Sequence, residues 1–227
     1  LAGTLSAQTP VPEWQAGVDK MKSLIQTNPA QASEEVGELL KGKNKKNVDL
    51  VTSVAHVYLD AGKLTEAQEY LAMAKKANNK DPKVSVLEGD IALAQKNIGQ
   101  ACQLYEQAIY FDPNCKEAYL KYAQAYKSAS PALAIEKLEQ LKAVDPNCLE
   151  ADRELAEVYY SSNRFGKAAE MYAKFIDTPL ATEDDMLKYA FALFLNHDFE
   201  KSLQVAQKGL QKNARHAAFN RLVMYNN

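Results

Sequence analysis

Small and apolar residues return along this chain at a near-constant interval, and that interval organises the polar residues between them. Ala67, Ala101, Ala134, Ala168 and Ser202 stand 34, 33, 34 and 34 residues apart. Four residues after each come Leu71, Tyr105, Leu138, Tyr172 and Ala206, and three further on come Ala74, Ala108, Leu141, Phe175 and Gly209. A 0, +4, +7 spacing is one face of a helix. A second thread runs upstream of the first, through Ala55, Gly89, Ala123, Ala156 and Ala190, with Tyr58, Ala92, Tyr126, Tyr159 and Leu193 three residues later. It predicts a second helix per unit, with small residues where another helix must come close.

Breaker clusters separate the two helices of each unit: Asp60-Ala61-Gly62, Gln95-Lys96-Asn97, Ser128-Ala129-Ser130-Pro131, Ser161-Ser162-Asn163 and Asn196-His197-Asp198. Each reads as a short helix-to-helix turn. Between units stand Asp81-Pro82, Asp112-Pro113-Asn114 and Asp145-Pro146-Asn147, where proline ends one helix and can open the next because its missing N–H is no loss in a first turn. Residues 12–47 predict a divergent helix pair, with Trp14, Val18, Met21 and Ile25 on one stripe and Val36, Leu39 and Leu40 on the next, closed by a basic loop with Lys at 41, 43, 45 and 46. Residues 48–213 predict about five regular pairs, and 214–227 the start of a further repeat or a capping helix.

A unit of this length with small, Tyr and Pro positions of this kind resembles the tetratricopeptide repeat family. The best single unit is 116–147, and the pattern extends over 48–212. The departures are a turn at Ser128 to Pro131 that is one residue short, a Pro82 later in its unit than Pro113 and Pro146 are in theirs, and Thr178-Pro179 in place of Asp-Pro. The resemblance implies an all-α, right-handed superhelical solenoid of antiparallel helix pairs, with the first helices lining a concave wall. Each pair is too short to bury its apolar stripe alone, so stability comes from stacked neighbours.

Counting three to four residues away from the core face places Asp49, Thr52, His56, Lys83, Asp90, Gln124, Lys127, Arg153, Glu157, Tyr160, Leu187, Phe191 and Phe194 on that wall as partner-binding candidates. Acids on the stripes (Asp49, Asp90, Glu117, Glu150, Glu157, Asp184) outnumber bases (Lys83, Lys127, Arg153), so the wall is expected to be mildly acidic, with an aromatic C-terminal end. Some members of the family hold a chaperone's C-terminus with Lys and Asn at these positions. Thr52, His56, Val86, Asp90, Leu120 and Gln124 do not repeat that pattern.

Composition narrows the function classes. Lys and Arg total 27 against 29 Asp and Glu, a net charge of -2, which lacks the basic excess that nucleic-acid binding needs. No apolar stretch approaches the roughly 18–20 residues of a membrane span. The histidines His56, His197 and His216 share no metal-binding spacing, and His197 in a turn reads as a solvated residue. Cys102, Cys115 and Cys148 are too few and too far apart for a disulfide framework and read as free thiols. Phosphate-cradling GxxxxGK[ST] and GxGxxG motifs and the GxSxG elbow are absent. No metal, cofactor or catalytic residue is therefore expected.

The expectation is a non-enzymatic scaffold that binds a protein or peptide of basic or apolar character. The alternatives are self-association into a larger envelope complex, or repeats that position a further domain. Leu5-Ser6-Ala7 before Gln8 is similar to the end of a bacterial secretory signal. Residues 1–11 therefore read as a signal remnant or disordered tail of an exported, periplasmic protein, with a cytoplasmic chain as the alternative.

Overall fold

The structure is a computed structural model that describes residues 10–226, so most of the export-signal segment lies outside the described residues. The described residues hold thirteen α-helices and no strand. In chain order they are α1 (Gln15–Leu24), α2 (Pro29–Leu39), α3 (Val48–Asp60), α4 (Leu64–Asn78), α5 (Pro82–Ala94), α6 (Ile98–Phe111) and α7 (Lys116–Tyr126). Then follow α8 (Pro131–Val144), α9 (Leu149–Ser161), α10 (Phe165–Phe175), α11 (Glu183–Leu195), α12 (Phe199–Lys212) and α13 (Ala217–Asn226). The expected basic loop contains a 3-10 turn, Gly42–Lys46. None of the helices is long and apolar enough to cross a membrane.

The helices form two compact units, Leu1–Asp112 and Pro113–Asn227. In unit 1, the pairs α1/α2, α3/α4 and α5/α6 are laid side by side, with α3 against α5 and α4 against α5. One apolar cluster runs through α1 to α5, from Val18 and Met21 to Leu87 and Ile91. In unit 2, α7/α8, α9/α10 and α11/α12 repeat the arrangement, and α13 closes on α11 and α12. Its last pair and α13 share a smaller cluster of Met186, Ala190, Ala206, Phe219 and Leu222.

The alanine thread explains the close approach of these helices. Ala67, Ala101, Ala134 and Ala168 are fully buried, and Ser202 replaces alanine by turning its hydroxyl to the Ala190 carbonyl at 2.9 Å. Gly89 extends the same logic, because a Cβ there would stand 2.5 Å from Cε1 of Tyr105.

Turn chemistry sets the pairing. Gly62, Lys96, Asn163 and His197 all lie at positive φ, between 58° and 75°, one in each of four helix-to-helix turns. The next amide in each case returns to a carbonyl five residues back, as Lys63 does to Tyr58 and Asp198 to Leu193. This left-handed closure ends the helix by filling a carbonyl it would otherwise orphan. The shortened turn at Ser130 lacks a left-handed residue, and Pro131 opens α8 directly. Pro82 likewise opens α5, whereas Pro113 and Pro146 precede the starts of α7 and α9. That difference accounts for the offset of Pro82 within its unit.

Candidate functional site

The first helix of each pair brings one stripe to the wall, and adjacent first helices tie their stripes together. In unit 1, Lys83 Nζ of α5 reaches Asp49 Oδ1 of α3 at 2.5 Å, both about half exposed. His56 Nε2 lies 3.0 Å from Asp90 Oδ2, while its Nδ1 lies 2.9 Å from the Thr52 carbonyl. Asp90 also accepts the Tyr105 hydroxyl at 2.7 Å. Thr52 is a correction to the wall set: it is 4% exposed and donates to the Val48 carbonyl at 2.8 Å. Its hydroxyl is spent on its own helix, because a threonine at this depth must satisfy the group locally.

Unit 2 carries more of these ties. Lys116 meets Glu150 at 2.9 Å, and Gln124 donates to Glu154 at 2.8 Å. Glu157 accepts the Tyr172 hydroxyl at 2.8 Å and Lys188 Nζ at 2.9 Å, and Lys188 also reaches Asp184 at 2.8 Å. The Tyr172–Glu157 bond repeats the Tyr105–Asp90 bond at the same separation of 15 residues. The Lys116 hydrogen bond holds the Glu150 carboxyl below its ordinary range, and the same bond raises Lys116. Burial pulls the Lys188 ammonium down, but its bonds to Asp184 and Glu157 outweigh that and leave it raised. Burial pushes the phenols of Tyr160 and Tyr172 up, so both stay neutral across the physiological range.

These ties pair most of the charges on the wall. Asp49, Asp90, Glu150, Glu157 and Asp184 each have a partner, and Lys121 stands 3.8 Å from Glu117. Lys116, Lys121 and Lys188 also lie on these helices and reduce the acid surplus, while Glu154, which accepts from Gln124, adds to it. Arg153 is also reassigned: its guanidinium grips Asp185 with Nε and Nη2, both at 3.1 Å. Asp185 is 1% exposed, and it completes a capping box with Thr182. Arg153 is therefore a structural clamp between α9 and α11. Leu187, Phe191 and Phe194 lie half-buried against the cluster shared with α13, and Phe194 meets the Tyr225 ring at 6.3 Å. They are less available to a partner than stripe counting implied.

Lys127 and Gln124 remain exposed, and Tyr160 remains half-buried with its ring edge-on to Phe165 at 5.7 Å. The ties missed by stripe counting had a usable signal. Complementary side chains recur about one repeat apart, as in Asp49 and Lys83 or Lys116 and Glu150, both 34 residues apart. Asp152 left no such signal. It is 2% exposed and joins Lys142 of α8 at 2.8 Å to Lys174 of α10 at 3.3 Å.

Among the described residues, no group of three or more His, Cys, Asp and Glu side chains could hold a metal. No disulfide joins Cys102, Cys115 and Cys148.

A tetratricopeptide repeat family model matches residues 54–116 and 124–181. Among solved structures, PilW, a type IV pilus biogenesis factor, superposes with a TM-score of 0.69 at 17% identity, covering 95% of this chain and 100% of that one. PilF of Pseudomonas aeruginosa gives a TM-score of 0.67 at 16% identity, covering 93% and 96%. YrrB, described as a tetratricopeptide repeat protein with an unusual peptide-binding site, gives 0.59 at 14% identity, covering 82% and 95%. Identities this low establish a shared fold. No curated protein matches the chain in sequence.

Proposed function

Because the chain belongs to the tetratricopeptide repeat family, a helix-pair solenoid that generally serves protein–protein interaction, we propose that it is a non-enzymatic scaffold whose first-helix wall in unit 2 holds a protein or peptide segment. The supporting observation is the contrast on that wall between spent and unspent groups. Carboxylates and lysines there are paired helix to helix, which leaves Lys127 and the half-buried Tyr160 ring free to meet a partner. Such a wall is rigid before binding and loses little side-chain freedom on contact. With most of the charges already paired, an apolar segment fits better than a strongly basic one. Aromatic rings that keep one face exposed are typical anchors of interfaces.

The test is capture of a partner from the native source by the wild-type chain and by a Lys127→Ala, Tyr160→Ala double variant. Neither residue holds the fold, so circular dichroism of the variant should match the wild type. Loss of the captured partner in the double variant is expected; full retention would move the binding surface elsewhere.

A second reading, self-association, has its own observation. Leu195 (44% exposed), Phe199 (45%), Tyr225 (68%) and Met224 (75%) leave an apolar surface around the α11–α12 turn and α13. Light scattering after size exclusion separates the two readings: a monomer favours the scaffold, and a dimer abolished by Phe199→Ser with Met224→Ser favours association.

A further inference from the structure

On the second-helix side of unit 2, two cavities of about 370 and 260 Å³ lie between α10 and α12 and share Ala173 and Tyr189. Gly166, Ala169 and Ala173 line the α10 side, while Lys201, Val205 and Lys208 line the α12 side. The groove exists because the α10 positions at i, i+3 and i+7 carry no side chain beyond a methyl, so nothing bridges to the neighbouring second helix. Tyr189 of α11 forms the shared floor.

The floor carries an unspent group. Other buried tyrosines of unit 2 place their hydroxyls: Tyr172 on Glu157 at 2.8 Å and Tyr119 on the Pro113 carbonyl at 3.1 Å. Tyr189 is only 9% exposed, with its ring 6.0 Å from that of Tyr172, yet its hydroxyl bonds to no described residue. The hydroxyl is not itself sealed from solvent, so it opens to the cavity and can exchange a water for a ligand's carbonyl. The charges its phenol senses are Lys201, Asp198 and Asp177, which line the cavities themselves.

Charge on the rim selects the occupant. Asp198 is tied to Lys201 at 2.9 Å and Asp177 to Lys208, so both lysines are engaged. Glu170 on the α10 rim has no ion-pair partner among the described residues and leaves the groove one negative charge in excess. At 11 residues, α10 spans about 16 Å, the reach of about five extended residues. A helical ligand uses up its own backbone groups, whereas an extended one can offer a carbonyl to the Tyr189 hydroxyl.

We propose that the α10–α12 groove is a second binding site, distinct from the first-helix wall, that takes an extended peptide with an apolar side chain seated over Tyr189 and an adjacent Lys or Arg paired with Glu170. The apolar side chain rests on Ala169, Ala173, Leu193 and Val205, and the peptide backbone supplies the partner that the Tyr189 hydroxyl lacks.

The experiment selects a random twelve-residue peptide library displayed on phage against the whole chain, then measures the enriched peptides by fluorescence polarisation. Enriched sequences are expected to place an apolar residue beside Lys or Arg. Ala173→Trp, which fills an exposed position of the groove, should weaken them about tenfold or more. Tyr189→Phe, which keeps the ring, should weaken them about threefold to tenfold. Glu170→Gln should reduce the preference for the basic residue. Lys127→Ala with Tyr160→Ala should leave binding unchanged, which separates this site from the wall. The proposal is overturned if no sequence is enriched, if acidic sequences prevail, or if Tyr189→Phe and Glu170→Gln bind as wild type. A dimer that dissociates on Ala173→Trp would assign the groove to a second copy and likewise overturn it.

Discussion

Units 1 and 2 use one helix-pair plan and spend it differently. Unit 1 packs α1 to α5 around an apolar cluster from Val18 to Ile91, and its exposed tie between first helices, Lys83–Asp49, lies about half in solvent. Unit 2 buries two carboxylates, Asp152 and Asp185, and clamps each across neighbouring helices. At the turn edge, unit 1 has Leu59 with Leu64 and Leu93 with Ile98, where unit 2 has Tyr160 with Phe165 and Phe194 with Phe199. Polar clamps fix the register of helices, and partly exposed aromatics offer area for contact. The same scaffold thus carries more clamped, buried charge and more aromatic area at its turn edge in the second unit than in the first.

The sharpest way to break this contrast is to remove one clamp from each unit. Arg153→Met leaves the buried Asp185 with its capping-box bonds alone, and it should cost about 3 kcal/mol in urea denaturation, the lower end for an abandoned buried charge. Lys83→Met should cost less than about 1 kcal/mol, because its partner is already solvated. Equal losses would erase the distinction between the units.

Enlarging the alanine thread tests what the units share. Ala67→Leu in unit 1 and Ala168→Leu in unit 2 should each cost about 1–3 kcal/mol by overpacking, since both side chains are fully buried between helices. An unchanged melting temperature in either variant would contradict the helix register.

High pH gives a smaller, graded effect. Burial, with Tyr58 beside it, holds Tyr70 of unit 1 pushed up to about 12. The unfolded chain releases that proton near 10.0, so this contribution to stability is whole below pH 10 and is lost as pH rises toward 12. Urea midpoints measured across that window should decline less in Tyr70→Phe than in the wild type. Tyr172 of unit 2, also raised, leaves a residual decline in that variant.

The smallest change compares the turns. Lys96 and His197 hold left-handed backbone that glycine adopts without strain. Substituting glycine at either should stabilise by about 0.5 kcal/mol. His197 should gain less, because its ring also lies edge-on to Phe199 at 5.8 Å. A loss at Lys96 would show that the turn is held by its side chain.

Much of the fold was legible before any coordinates. The repeat interval located the pairs from α3 to α12, since a helix face must recur with the period at which its neighbour returns. The breaker clusters located the turns, because only a few residue types close a helix cheaply. The wall was less legible. Stripe counting treats each helix alone, and so it offered Arg153 and Phe191 to solvent when one is locked on Asp185 and the other rests on the cluster beneath α13.

The one-dimensional chain therefore determined the secondary structure, the pairing of helices and the absence of familiar catalytic motifs, all of which depend on residues near one another in sequence. Only the tertiary structure decided which polar groups are spent and which are left over. Glu157 meets Lys188 across 31 positions, and the Tyr189 hydroxyl bonds to no described residue. A hydrogen bond depends on where two atoms come to rest within a few ångströms, and periodicity specifies faces, not atoms.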